Sequence, residues 1–277
     1  GTAQFSDGTV RIQNYEEFGA SMQTRFRIED GRVMLEHINL QSEGASSAVT
    51  GYVDFKNFPD MLFNVRSHID FPTQKAIYFK NMDFTVAGVG DFTGTFRFFK
   101  TGPGSTGREL TGTFTSPVAG VNEWRFPDVH GSLLWTNRVF RVTDVTAALY
   151  GGRAKFDYAM EPLGTPGKPT MAIWDTNYTG VNLRTLTDFL ELRGIRLEGR
   201  ASGHNRLEWP LRRFSNHTGK GELHVTPPEG VTLMTREMPL ERIRAVEQRG
   251  QPAGPFSPLT PYEPVPTGGG VFFTPRT

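Results

Sequence analysis

Residues able to do chemistry are scattered thinly along this sequence. Its six histidines, His37, His68, His130, His204, His217 and His224, are the candidates for metal ligation or general-base work. Only His217 and His224 lie close, seven residues apart, and a hairpin turn at Gly219-Lys220-Gly221 would bring their imidazoles together. A metal site wants three or four convergent ligands with a second shell of partners, so surface positions are expected for all six. A serine triad needs its nucleophile on a strained strand-to-helix elbow of the G-x-S-x-G kind, and the chain contains none. Gly88-Val89-Gly90 followed by Gly94 misses the dinucleotide-binding spacing and precedes strand-like residues, so these glycines read as turns. Glu16 and Glu17, or Glu36 and Glu43, could in principle flank a glycosidic bond. With 29 acidic residues, nothing singles out either pair. Trp124, Trp135, Trp174 and Trp209 could stack on sugar rings if exposed on a β-face; as core residues they would only pack. No catalytic residue, metal ligand or cofactor is assigned, and the chain reads as a non-enzyme.

The 30 Lys and Arg against 29 Asp and Glu leave a net charge of +1, no overall reason to expect nucleic acid as a partner. No cysteine occurs, which removes disulfides, thiolate zinc sites and thiol nucleophiles together. No apolar run approaches the roughly 20 residues that a spanning helix needs. The chain opens mid-pattern at Gly1-Thr2-Ala3-Gln4-Phe5, as an excised fragment of a longer protein would, with its signal or anchor elsewhere.

The elements that would position any site are strands. Between Val129 and Met160, Ala154, Phe156, Tyr158 and Met160 alternate with Arg153, Lys155 and Asp157, the period of a half-buried strand. Tyr150-Gly151-Gly152 supplies the turn before it. Upstream, Val145, Ala147 and Leu149 alternate, and a break at Thr143-Asp144 separates them from Phe140 and Val142.

This meander grammar extends over most of the chain. Phe26 and Ile28 lead through Asp30-Gly31 to Val33 and Leu35, a strong hairpin signal. Strand pairs follow at Phe63 and Val65, Ile69 and Phe71, Ile77 and Phe79, and Phe96 and Phe98, with Pro59 and Pro72 as strand ends. The stretch 101–107, TGPGSTG, reads as a flexible loop and as a sub-boundary near 101–120. At Asn182 the period changes: Leu183, Leu186 and Leu190 predict a short helix at about 183–192, with Asn182 as N-cap. A second short helix is expected over 240–248. Residues 1–249 form the repetitive region, and 250–277 a Pro- and Gly-rich irregular tail or linker.

The segment Tyr178-Thr179-Gly180-Val181-Asn182-Leu183-Arg184-Thr185-Leu186, followed by Leu197-Glu198-Gly199-Arg200-Ala201-Ser202-Gly203, resembles the AsmA-like and TamB-like periplasmic proteins of diderm bacteria. Their repeats pair a Y-x-G-V-x-L-x-x-L element with an L-x-G-x-x-x-G strand. Residues 7–12, 51–55 and 148–154 are similar to such repeats, and the resemblance touches residues 1–225. It implies an all-β fold: an elongated, meandering antiparallel sheet curled into an apolar groove (a repeating β-groove or β-taco), with one or two short helices. It further implies the periplasmic part of an inner-membrane-anchored bacterial envelope protein, its anchor outside this chain. Such a protein conducts phospholipid acyl chains towards the outer membrane, or assists outer-membrane protein assembly with those assembly proteins as partners.

On this reading the groove is lined by Leu133, Trp135, Val145, Ala147, Leu149, Ala154, Phe156 and Tyr158, with Phe96 and Phe98 as further candidates. An uncovered apolar face marks an interaction surface. The competing expectation is a β-sandwich or solenoid that recognises glycan or protein through loops and exposed aromatics.

Overall fold

Period-two alternation broken by tight turns folds most of the described residues into one antiparallel sheet. The computed structural model describes residues 1–11, 15–80, 84–122, 124–189, 197–229, 263–267 and 270–274. The strands are β1 (Thr2–Val10), β2 (Phe18–Glu29), β3 (Arg32–Ser42), β4 (Ala45–Asp54), β5 (Asp60–Asp70), β6 (Val86–Gly102), β7 (Ser105–Val121), β8 (Trp124–Thr136), β9 (Phe140–Leu149), β10 (Gly152–Glu161), β11 (Met171–Asn182), β12 (Arg200–Pro210) and β13 (Thr218–Thr226). They pair strictly in sequence order, and β1 and β13 form two edges that do not meet, so the sheet is open. The turns obey backbone sterics: Asp30 and Gly31 have φ of 48° and 76°, and Tyr150 and Gly151 have 41° and 76°, the doubly left-handed corner that fits the strand twist.

Among the described residues, two α-helices interrupt the meander. Helix α1 (Phe71–Tyr78) occupies residues whose spacing suggested strands. Its start is fixed locally: the Asp70 carboxylate accepts from the Thr73 N–H (3.0 Å), and a proline sits in the first turn. Helix α2 (Leu183–Phe189) lies where helical spacing placed it, and Asn182 Oδ1 caps it by accepting from the Thr185 N–H (3.1 Å).

Helix α1 reveals the curl of the sheet. The Tyr78 ring is 6.4 Å from Phe18 in β2, while its chain neighbour Phe79 stacks 6.0 Å from Trp135 in β8. Six strand spacings separate β2 from β8, roughly 29 Å along the sheet. Two adjacent side chains cannot span that length, so the sheet wraps around α1. Glycines help the middle strands bend: Gly94 and Gly112 face each other across β6 and β7, and the Phe92 ring covers both.

Several local expectations change. The stretch 101–107 is a tight turn at Pro103-Gly104 inside the β6–β7 hairpin, not a flexible loop, and β7 pairs with β6 through the suggested sub-boundary with register shifts near Gly102 and Val89. Gly88, Gly90 and Gly94 are strand residues of β6 rather than turns. Within the tail expected to be irregular, β14 (Glu263–Thr267) and β15 (Gly270–Thr274) pair as a hairpin, with β15 beside β13. The helix expected over 240–248 lies outside the described residues.

A candidate apolar groove

Cross-strand register decides which side chains share a face. Phe63 pairs with Phe96, Phe96 with Leu110, and Leu110 with Trp135. Trp135 pairs with Phe140, Phe140 with Met160, Met160 with Ala172, and Ala172 with Trp209. A parallel row runs from Leu133 through Val142, Tyr158 and Trp174 to Leu207. The same parity collects Phe5, Met22, Phe26, Leu35, Ile38, Val49 and Val65 over the first five strands. One apolar face therefore crosses all 13 strands, and it is the inner face because α1 packs on it.

The outer face carries hydroxyls and charges. Thr95 and Thr111 hydroxyls meet at 3.0 Å, Lys155 pairs with Asp144 (2.6 Å), Arg153 with Asp128 (3.0 Å) and His204 with Asp175 (2.7 Å). Together, His204 and Arg206 hold the Asp175 carboxyl below its usual range.

Bulges keep this segregation in phase. In β9 the register slips at Thr143-Asp144, with Asp144 at φ 52°, so Val145 and Val142 stay on one face although three residues apart. The break seen in the sequence is this bulge. The Asp144 N–H released from the ladder is taken by Asp157 Oδ1 at 2.7 Å. Two other bulges repeat the device: Asp7 N–H donates to Ser21 Oγ (3.0 Å), and Gly180 N–H to Ser202 Oγ (3.0 Å). In each case the acceptor stands on the neighbouring strand. Gly180, at φ 66°, puts Tyr178 and Val181 on the same face, which gives the Tyr-x-Gly-Val spacing a physical meaning.

All ten groove candidates lie on the inner face. Val145, Ala147 and Ala154 are buried, Val145 to 1% exposure, and Val145 and Ala147 join Val129 in a small sealed cluster. Leu133, Trp135, Leu149, Phe156, Tyr158, Phe96 and Phe98 are only half-buried. Phe79, at the end of α1, covers Trp135; among the described residues no second layer covers the other six, and apart from the patch under α1 the face is unsealed. Spacing alone did not single out Met61, Phe63, Phe92, Trp174 and Trp209, which strand-to-strand parity adds to the same lining.

An aromatic belt runs along the β8–β12 part of the groove. Trp135 meets Phe140 (6.0 Å), Phe140 meets Tyr158 (6.5 Å), and Tyr158 touches both Trp174 (6.1 Å) and Trp209 (6.3 Å). Phe156 stacks on Trp174 at 4.5 Å and 13°, and Phe126 and Trp124 continue the row. Loss of water around the Tyr158 phenol pushes its pKa up to about 12. All four tryptophans thus face the groove rather than the polar outside.

The residues considered for chemistry do not converge. Gly219-Lys220-Gly221 is strand, so His217 and His224 stand about 23 Å apart along one extended segment rather than across a turn. Glu16 pairs with Lys80, Glu17 with Arg11 (2.5 Å), and Glu43 accepts from the Gly19 N–H (3.0 Å). Among the described residues no three metal-ligating side chains cluster. A depression of about 590 Å³ lined by Asp7, Thr9, Glu17, Gln41 and Glu43, among others, contains none of the ten groove candidates. Comparison with protein-family models, with curated proteins and with solved structures found no match.

Proposed function

We propose that this chain is a groove segment that binds the acyl chains of phospholipids and lets them move along it. It would serve as the periplasmic part of an inner-membrane-anchored envelope protein that passes lipid towards the outer membrane or assists protein assembly there. One observation carries the reading: an apolar inner face continuous over 13 strands that, among the described residues, is largely without a covering layer. Apolar surface left open in this way calls for an apolar occupant. Each methylene moved from water into such a groove gains about 0.8 kcal/mol, so ten give roughly 8 kcal/mol without a specific pocket. Because one position on the lining resembles the next, displacement along it costs little. No residue acts covalently.

Native mass spectrometry of the purified chain, with extraction of whatever accompanies it, tests the reading. Phospholipid in several copies per chain is the expected result. A lipid-free chain that also ignores added phospholipid refutes it.

A further inference from the structure

Cations are distributed unevenly along one lip of the groove. Where the β2–β3 and β4–β5 turns form that lip, the basic side chains are matched: Arg27 with Glu29, Arg32 with Asp54, Lys56 with Asp30. Strict antiparallel order puts the β6–β7, β8–β9, β10–β11 and β12–β13 turns on the continuation of the same lip. There Lys100, Arg108, Arg138, Lys168, Arg212 and Arg213 have no carboxylate partner among the described residues. Neighbouring acids are occupied or turned away. Arg141 holds Glu161 with two bonds (2.9 and 2.7 Å), Arg206 holds Glu208 (2.8 Å), and Glu109 has the parity of the outer face.

These four turns are stitched into one frame. Asn137 Oδ1 accepts from the Arg108 N–H (3.0 Å) and its Nδ2 donates to the Thr106 carbonyl (2.8 Å). Leu163 N–H donates to the Arg138 carbonyl (2.7 Å), and Leu211 N–H to the Thr170 carbonyl (2.9 Å). Arg108 alone among the six has both the inner-face parity and a contact with the belt, its guanidinium 5.2 Å above the Trp135 ring. The turns that carry these cations are neighbours, and like charges gathered on one edge repel, a repulsion that an anion relieves. Guanidinium forks match phosphate oxygens in particular.

We propose that this lip is a phosphate rail: Arg108 and Arg138 hold the headgroup phosphate of a lipid whose acyl chains lie on the aromatic belt. The inference rests on the acyl-chain reading and assigns the headgroup an end of the groove.

Tryptophan fluorescence of the full chain, titrated with short-chain phosphatidylglycerol and with the diacylglycerol of the same chains, tests it. The phospholipid is expected to bind about tenfold more tightly at low salt, with a preference that shrinks as salt rises. A double variant, R108Q and R138Q, is expected to bind the phospholipid no more tightly than the diacylglycerol, with its fold verified by circular dichroism. Equal affinities in the parent chain, or a preference that survives in the variant, overturn the rail and leave the acyl-chain reading standing. Binding of neither lipid overturns both. A response to inorganic phosphate as strong as to phospholipid assigns the rail to free anions, and capture of intact phosphatidylglycerol vesicles without lipid uptake assigns it to a bilayer surface; either overturns the headgroup assignment.

Discussion

Replacing Phe156 by aspartate separates an open groove from a sealed core. The Phe156 ring stacks on Trp174 at 4.5 Å and tilts against Phe126 at 6.3 Å. Losing two aromatic pairs costs about 2 kcal/mol, and half of a phenylalanine's burial costs about 1 kcal/mol more. The total, about 3 kcal/mol, is less than the 5–15 kcal/mol of a typical domain. In a groove open to water the new carboxylate stays hydrated, so Phe156→Asp remains folded, with a lower urea midpoint and reduced lipid capture. Val145→Asp is the contrast, since Val145 is 1% exposed. There an unpaired charge adds several kcal/mol of desolvation, and no folded protein is expected. Circular dichroism through a urea series, with lipid extraction from each variant, reads both effects. If Phe156→Asp unfolds as Val145→Asp does, the face is a closed core; if it folds and captures lipid undiminished, the belt is not where lipid lies.

Other expectations follow from single contacts. The Asp54 carboxylate accepts from Arg32 (2.8 Å), Asn57 Nδ2 (3.2 Å) and the Lys56 N–H (2.9 Å), which hold its pKa down to about 2. With an unfolded value near 3.9, its stabilising contribution is complete above about pH 4 and is lost as pH falls towards 2. Thermal melts of Asp54→Asn should be flatter than the parent's across that window, and parallel curves would contradict the assignment. Ser202→Ala leaves the Gly180 N–H without its acceptor and should cost about 1 kcal/mol, roughly 3 °C in Tm; an unchanged Tm would mean the bulge does not need its side-chain partner. The Thr24 hydroxyl is buried on the inner face without a partner among the described residues, so Thr24→Val should raise Tm by roughly 3 °C, and a fall would point to a bond to solvent.

Much of this fold was legible as alternation and turns. Asp30-Gly31 and Tyr150-Gly151 close hairpins because they accept left-handed backbone, and Asn182 caps α2 as its side-chain chemistry predicts. Helix α1 was hidden because Ile69, Phe71, Ile77 and Phe79 also fit a period of two, and Pro72 marked a strand end as readily as a helix start. The Asp70 carboxylate poised for the Thr73 N–H was the missed signal. Groove membership of Trp174 and Trp209 depends on register across several hairpins and on bulges that reset parity, which no single strand encodes. The unpaired lip likewise emerges only when turns far apart in sequence are set side by side.

Pairing that follows chain order without exception also governs how the molecule bears load. Outside the tie that Tyr78 and Phe79 make between β2 and β8, strands lean on those that flank them in sequence, so tension on the ends of the sheet reaches one hairpin ladder at a time. Hydrogen bonds at the loaded edge part in succession, as a zipper does, while the interior strands feel little. Lengthening proceeds in small steps, and on release most strands find their partner at the other end of a tight turn, the longer links that carry α1 and α2 excepted.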